Sequence, residues 1–325
     1  PGMSRALASR RPRHQNCRMS HARELDWLQD AVGILSPTDR TLISVSGDDA
    51  HEWLQGQITN QCEGAKPGDS VYGFILTLKG RVMADVWAYF QDDGVLLEVP
   101  DAVVDALMER LDRYIIMEDV DLEHRPASRI LLAQGPRSGD VMSNGWPSDR
   151  LGTGGRAWVI DEAELDAKLE HASGRAANAG GGRVSQEAWR HAHVVRGRPL
   201  FGVDFGDWTY PQETGLTGAA VSFNKGCYIG QETVVMLQNR GKAPKTLWRW
   251  EVDDADPPEP GTPITRRGTE VGQVTSATLA GGAIHALGFL KRGHETEHEG
   301  FEILGKSARP IGPVSDGPGL NAAHT

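Results

Sequence analysis

The residues best suited to chemistry lie between positions 225 and 232, where one cysteine stands among glycines and a lysine. Cys227 follows Lys225 and Gly226 and precedes a stretch with helical character at 230–237. A thiol near a helix N-terminus and beside a lysine lies in a positive field, which favours the thiolate. The local chemistry is therefore compatible with a functional thiol at Cys227. A buried structural cysteine remains the alternative, because free cysteines are often buried.

Other motifs give weaker signals. The pattern HExxH occurs at 294–298 between Gly293 and Gly300, without the apolar periodicity of a helix, so it indicates a solvated turn rather than a zinc site. The three cysteines are widely spaced and form no CxxC pair, which favours a reducing compartment over a disulfide framework. The glycine-rich pieces at 152–155 and 180–182 do not match a dinucleotide-binding loop. No bound metal is predicted.

Composition excludes further classes of function. The formal net charge is −10, and clustered cations are required for tight nucleic-acid binding, so no direct binding of this kind is predicted. No apolar run approaches the roughly 20 residues of a membrane span. Six arginines and no acid precede Glu24. We interpret this start as a disordered basic tail of a cytoplasmic protein, with a mitochondrial presequence as the alternative.

The helices and strands that must position Cys227 are predicted from the spacing of apolar residues. A helix at 23–32 and a strand at 41–46 precede a helix that begins near Asp48 or Asp49 and includes Trp53 and Ile58. Three antiparallel strands are predicted at 70–78, 82–90 and 95–99, followed by a helix with an apolar face that includes Leu107 and Leu111.

A second unit is predicted from a strand at 130–133, a strand at 157–160 and a helix at 161–171, followed by a loop at 174–182. Ser185 is a plausible N-cap for the next helix. Beyond residue 243, short strands at 247–252, 262–265, 270–279 and 283–290 alternate with Gly and Pro turns. This spacing is typical of a small β-barrel.

The segment 225–232 resembles the signature K-G-C-Y-x-G-Q-E of the YgfZ family of proteins related to the glycine cleavage T protein. The resemblance extends from about residue 24 to about residue 310. It includes the stretches 45–50, 53–59, 76–81 with Asp85, 202–204, 211–213, 271–277 and 286–289. It implies an α+β fold in which three domains form a ring around a central folate channel, with a small C-terminal β-barrel.

With this resemblance the chain divides into predicted units. These are a disordered basic tail at 1–22, a folate-binding unit at 23–125 with 195–242, a second α+β unit at 126–194, the barrel at 243–312 and a disordered tail at 313–325.

The resemblance implies that the chain binds tetrahydrofolate or a derivative. It also implies a role in assembling or repairing iron–sulfur clusters, with assembly proteins or cluster-containing client enzymes, such as the tRNA thiomethylation enzyme, as partners. The alternative is a folate-dependent aminomethyltransferase or demethylase. The T protein has paired aspartates where this chain has Ala84 and Asp85, and it lacks a cysteine in the place of Cys227. Both departures weaken the transferase alternative and leave turnover in doubt.

Candidate site residues follow from the chemistry of a folate. Asp85 or Glu213 can accept the N–H pair of a pterin, although each also has a structural interpretation, as a solvent-facing strand residue or at a helix start. Cations for the glutamate tail are sought at Arg81, Lys225 and Arg240. The predicted set is completed by the functional pair Cys227 and Lys225, by the folate contacts Tyr228 and Gln231, and by the signature residues Gly226, Gly230 and Glu232.

Overall fold

Three β-sheets organise the chain. A computed structural model describes residues 13–240, 243–254 and 256–315, with the side chains of 13–20 and 240 left out of the description. The predicted tails lie partly outside the described residues, at 1–12 and 316–325. None of the described helices is long and apolar enough to cross a membrane.

The helices are short, apart from the first, α5 and α6. They are α1 (Arg13–Asp30), α2 (Ala50–Gln57), α3 (Val104–Asp112), α4 (Ser138–Val141), α5 (Leu165–Asn178), α6 (Gln186–Arg196), α7 (Pro211–Thr214), α8 (Thr217–Ala220) and α9 (Gln231–Arg240). Single 3₁₀ turns precede α3 and α5.

The strands are β1 (Gly33–Leu35), β2 (Arg40–Ser46), β3 (Ser70–Leu76), β4 (Val82–Gln91), β5 (Gly94–Pro100), β6 (Asp121–His124), β7 (Ser128–Gln134), β8 (Trp146–Pro147), β9 (Gly155–Asp161), β10 (Gly182–Arg183), β11 (Lys245–Val252), β12 (Pro263–Arg266), β13 (Thr269–Ala280), β14 (Ala283–Lys291), β15 (Phe301–Ile303) and β16 (Lys306–Pro313). The first sheet has the order β3-β4-β5-β2-β6, and the second has the order β10-β1-β7-β9-β8.

Strands β3, β4 and β5 of the first sheet are buried on both faces, because they are apolar at nearly every position. Alternate side chains of a strand point to opposite faces, and in β3 the side chains of Tyr72 and Phe74 pack in one core while Val71 and Ile75 pack in another. The second of these cores also holds α2 and α3. The few charged side chains of β2, β4 and β5 therefore lie inside the protein and require partners.

The predicted C-terminal barrel is confirmed as a closed barrel of six strands in the order β11-β14-β13-β12-β15-β16. Four of these strands were predicted from the sequence, whereas β15 and β16 were not. Proline and glycine in β16 obscured its pattern. The ladder with β11 has an irregularity between Arg249 and Trp250, where the partners change from Gly312 to Pro310, and bulges are places where a strand tolerates proline.

Several predicted boundaries differ from the observed ones. The first helix covers Arg13–Asp30 instead of 23–32. Helix α5 begins at Leu165 and continues to Asn178, so the predicted loop at 174–182 is partly helical. Alanines at positions 172 and 176 pack in the core there, which favours continuation of the helix. Strand β1 pairs with β7 and β10 in the second sheet, although it precedes the first sheet in sequence. The boundaries of the predicted units stay a prediction.

Ser185 is the N-cap of α6, as predicted. Its hydroxyl oxygen accepts a hydrogen bond from the backbone N–H of Ala188 at 3.2 Å. Gly197 ends the helix in the left-handed conformation, with a φ of 65°. The helix so delimited carries Trp189 and His193 on its buried side.

Candidate functional site

A charged network occupies the face of the first sheet that Tyr72 and Trp87 share. Arg40 Nη1 donates to Asp85 Oδ1 at 2.6 Å, and Arg40 Nε donates to Glu98 Oε1 at 3.1 Å. The three residues belong to β2, β4 and β5, and period-two alternation brings them to the same face.

Arg150 extends this network to the loop before β9. Its Nη1 donates to Glu98 Oε1 at 2.7 Å and its Nη2 to Glu98 Oε2 at 2.5 Å, which is a bidentate pair. Tyr89 accepts from Arg150 Nη2 at 2.8 Å and donates its hydroxyl to Glu98 Oε2 at 2.7 Å. Because β9 belongs to the second sheet, these bonds join the first and second sheets.

The charges within the network balance one another. Burial alone raises the pKa of Glu98, but the charge and hydrogen bonds of Arg150 and the charge of Arg40 outweigh it and lower that pKa to about 2. Burial also lowers the pKa of each arginine, yet the neighbouring carboxylates outweigh this and raise both above their usual value. The network is therefore ionised at neutral pH.

A cavity of about 150 Å³ opens beside the network. Its wall includes both arginines and Asp85, together with the residues Tyr72, Trp87, Trp189, His193 and Phe201. A dry cavity of this size accepts a ring as large as benzene. A bicyclic ligand must therefore extend beyond the mouth or widen the cavity.

Asp85, the predicted pterin acceptor, lies in the wall of this cavity. Its Oδ1 is held by Arg40 at 2.6 Å, and its Oδ2 accepts from the Tyr72 hydroxyl at 3.3 Å. The carboxylate thus keeps some acceptor capacity, mainly on Oδ2, where the existing bond is long. Its contact with folate stays a prediction.

Arg81 and Glu213, two further predicted folate contacts, are not among the residues that line the cavity. Arg81 donates through Nη1 to the carbonyl oxygen of Trp208 and lies over the ring of Tyr210, 4.5 Å from its centroid. Glu213 accepts from the backbone N–H of Tyr210 at 2.9 Å and caps α7, and burial raises its pKa. The side chain of Arg240 lies outside the described residues.

Lys225 holds the signature segment to the end of α2. Its Nζ donates to three backbone carbonyl oxygens, those of Gln55 at 2.6 Å, Ile58 at 2.7 Å and Asn60 at 2.6 Å. The last carbonyls of a helix have no partner within it, and a cation there is favourable. Burial lowers the pKa of Lys225 to about 8.

This arrangement corrects the predicted role of Lys225. Its charge was predicted to act on Cys227, whereas the ammonium is directed to carbonyl oxygens at and just beyond the end of α2. The thiol that feels this charge is Cys62, whose pKa burial raises to about 12 while Lys225 acts in the opposite direction. Cys62 is buried and Cys227 is exposed, and neither forms a disulfide. The alternative of a buried structural cysteine at 227 is therefore wrong.

Two glycines allow the signature to pack against the turn between β3 and β4. A Cβ on Gly230, whose φ is 85°, would lie 2.7 Å from the carbonyl oxygen of Thr77. A Cβ on Gly80, whose φ is 74°, would lie 2.7 Å from the Cβ of Thr233. No larger residue fits either place without movement. Gly226 is different, because a Cβ there would meet nothing within 4 Å.

The remaining signature residues support the same segment. Tyr228 is buried beneath Lys225, whose Nζ lies 5.4 Å from the ring centroid, and burial raises the pKa of the tyrosine to about 12. Gln231 begins α9 and donates to the carbonyl oxygen of Gly226 at 3.4 Å. Glu232 lies exposed in the first turn of α9, where an acid is favourable. Helix α9 begins four residues after Cys227.

Replacing Lys225 with Met is expected to lower the free energy of unfolding by about 2–4 kcal/mol, because three carbonyl oxygens lose their donor. Urea denaturation monitored by circular dichroism measures the change. The matched control is Lys79→Met at an exposed lysine, with an expected change within about 0.5 kcal/mol. Equal effects of the two substitutions would show that Lys225 does not hold the segment in place.

The HExxH segment lies in turns between β14 and β15 rather than on a helix, as predicted. Glu297 pairs with Arg266, and its backbone N–H bonds to the carbonyl oxygen of His294 at 3.1 Å. Within residues 13–240, 243–254 and 256–315, no group of three or more His, Cys, Asp or Glu is arranged to hold a metal ion.

Arg40, Glu98, Arg150 and His193 were not among the site residues predicted from the sequence. A signal existed for Glu98, because it is the one charged residue in an otherwise apolar strand and therefore needs a buried partner. Arg150 follows a run of turn residues, and its partner Glu98 is 52 positions away, so no local pattern marks it.

Comparison with known proteins shows which family the chain is similar to. The family model described as the GCVT N-terminal domain matches residues 3–151. The chain is 30% identical over 265 residues to the mitochondrial iron-sulfur cluster assembly factor of Homo sapiens, an alignment that covers 74% of this chain and 72% of the human protein.

A bacterial relative and a solved structure agree with this. The chain is 24% identical over 209 residues to the tRNA-modifying protein YgfZ of Vibrio atlanticus, covering 63% of this chain and 65% of the relative. It thus spans about two thirds of that relative's length. The crystal structure of the glycine cleavage system aminomethyltransferase T from Bartonella henselae matches with a TM-score of 0.79 at 19% identity, covering 92% of this chain and 90% of that protein. This likeness establishes the fold.

Proposed function

Because the chain belongs to the YgfZ-type family of proteins related to the glycine cleavage T protein, we propose that it supports the assembly or repair of iron–sulfur clusters. Its effect on cluster-dependent enzymes, such as those of tRNA thiomethylation, follows from this role. The observation that carries the proposal is the exposed thiol of Cys227 in the family signature, on a segment that Lys225 fastens to the protein body.

The cluster is a cargo in this proposal, not a resident cofactor. A four-iron cluster usually takes about four thiolates, and Cys227 supplies one. The remaining ligands come from a partner, either an assembly protein or a client enzyme. An exposed thiol on a segment that is held to the protein body suits such a shared contact. The position of the sulfur is then set before a partner binds.

We propose that the cavity binds the pterin ring of tetrahydrofolate or a derivative. Trp87, Trp189 and Phe201 supply aromatic surface, and Asp85 supplies an acceptor for ring N–H groups. Arg40 and Arg150 add positive charge to the same wall. With about 150 Å³ available, the glutamate tail extends outside, and the bicyclic ring either widens the cavity or extends partly beyond its mouth. Bound folate would stabilise the junction that Arg150 makes between the first and second sheets.

A turnover reaction of the T-protein kind is not part of this proposal. The carboxylate of Asp85 is bonded to Arg40 and Tyr72, so it is a poor general base. Its neighbour Ala84 carries no second carboxylate. The site of action is proposed to be the cytoplasm, with the mitochondrial matrix as the alternative, since the human relative is a mitochondrial protein.

Complementation tests the proposed function. A bacterial strain that lacks its own YgfZ-type protein receives this chain or an empty vector, and thiomethylated tRNA is measured by mass spectrometry under oxidative stress. The chain is expected to restore the modification to at least half of the level in the parent strain. Restoration no better than with the empty vector, despite equal protein levels, would refute the proposed role.

A further inference from the structure

His193 is a buried histidine in the cavity wall that the proposed function does not use. It lies on α6, is 5% exposed and packs edge-on against Trp189, with 4.4 Å between ring centroids. Trp189 lines the same cavity. The position of the imidazole is thus fixed by packing on one side and by the helix on the other.

A hydrogen bond determines which imidazole nitrogen carries the proton. Nδ1 lies 2.8 Å from the carbonyl oxygen of Arg198, and a carbonyl oxygen can only accept, so Nδ1 is the donor. Burial lowers the pKa of His193 to about 3, with the charges of Arg150 and Arg198 acting in the same direction and the bond to the carbonyl opposing them. The ring is therefore neutral at pH 7, and Nε2 carries a lone pair.

Nε2 has no hydrogen-bond partner among the described residues. A buried acceptor without a donor is costly, and it is shielded from bulk water, so a group that enters the cavity is the natural source of the missing donor. The nearby Asp85 carboxylate is largely occupied by Arg40 and Tyr72. His193, a residue of this wall, thus carries a buried acceptor, Nε2, with its full capacity available.

We infer that His193 Nε2 accepts a hydrogen bond from the reduced ring of a folate and so distinguishes tetrahydrofolate from oxidised folic acid. The saturated ring of tetrahydrofolate has an N–H at each of its two nitrogens. In folic acid the same nitrogens have only lone pairs, which repel the lone pair of Nε2. This inference rests on the proposed folate site and adds its specificity for the reduced form.

Anaerobic calorimetry with tetrahydrofolate and folic acid tests the inference. The wild-type protein is expected to bind tetrahydrofolate at least tenfold more tightly than folic acid. In His193→Phe, which keeps a planar ring and removes both nitrogens, the affinity for tetrahydrofolate falls about tenfold and the preference disappears. In His193→Gln, whose amide oxygen replaces the acceptor and whose amide can also donate, tetrahydrofolate binding stays within about threefold of wild type and folic acid binding improves.

Nitrogen NMR of histidine-labelled wild-type protein gives a second measurement that does not depend on the folate affinity of any variant. The Nε2 resonance of His193, assigned from its absence in His193→Gln, is expected to move on addition of tetrahydrofolate, while that of Nδ1 stays. Binding of tetrahydrofolate with no preference over folic acid, or an unmoved Nε2 resonance, overturns the inference and leaves the folate site standing. Failure of the wild-type protein to bind either compound overturns both.

Discussion

Replacing Glu98 with Gln is expected to lower the free energy of unfolding by about 3–5 kcal/mol at pH 7. The substitution keeps the shape of the side chain but leaves the buried guanidinium groups of Arg40 and Arg150 with one carboxylate, Asp85, in place of two. Uncompensated buried charge is among the largest single costs in a protein. Because Arg150 joins the first two sheets, the residues that line the cavity are expected to become less ordered as well.

The same network predicts a dependence of stability on pH. The folded-state pKa of Glu98 is about 2, below the ordinary value of about 4.3 expected in the unfolded chain. Its contribution to stability is therefore fully present above roughly pH 5 and is lost as the pH falls towards 2. The difference corresponds to roughly 3 kcal/mol.

Urea denaturation at pH 7 and at pH 3 measures both effects. Glu162→Gln is the matched control, because Glu162 pairs with Arg129 at 2.7 Å but lies at the surface. Its expected cost is below about 1 kcal/mol. The wild type should lose more stability than Glu98→Gln between the two pH values. If both variants lose equally little at pH 7, the network is not a main source of stability.

The parts of the fold that sequence reasoning predicted are those set by local periodicity. Strands β2 to β5 were predicted within two residues, because their apolar residues are nearly continuous and turn residues bound them. Ser185 was identified as an N-cap because capping depends on one side chain and the next turn of helix. The overall fold came from resemblance rather than from periodicity, and the structural match agrees with it.

The parts that failed depend on contacts between distant positions. Lys225 finds its carbonyl acceptors 165 to 170 residues earlier in the chain, so its neighbour Cys227 suggested the wrong partner. Asp85 was selected from the family pattern, but its pairing with Arg40 depends on the alignment of three strands. His193 gave no signal, because one histidine on an apolar helix face is usually a packed core residue.

The thiol of Cys227 and the cavity beside the charged network are separate features of this protein. Cys227 is exposed and does not line the cavity, whereas Arg40, Asp85 and Arg150 of the charged network do. The proposed folate in the cavity and the proposed partner at the thiol therefore contact different residues. We expect a variant of one feature to leave the other intact, which makes the two proposed roles separable by mutation.

Replacing Cys227 with Ser is expected to reduce restored tRNA thiomethylation to the level of the empty vector in the complementation assay. Serine keeps the size of the side chain but is a far weaker ligand for iron and a weaker nucleophile. Because residue 227 is exposed, the free energy of unfolding should change by no more than about 0.5 kcal/mol. Folate binding measured by calorimetry should also be unchanged.

The neighbouring position supplies the control for this experiment. Asn224 is exposed on the same segment, and Asn224→Ala removes a polar side chain without removing a thiol. It should restore the modification as well as the wild type does. The contrast separates the chemistry of sulfur from a general disturbance of the loop. Full restoration by Cys227→Ser at equal protein levels would contradict a role for the thiol and would leave the fastening by Lys225 as a purely structural feature of the signature.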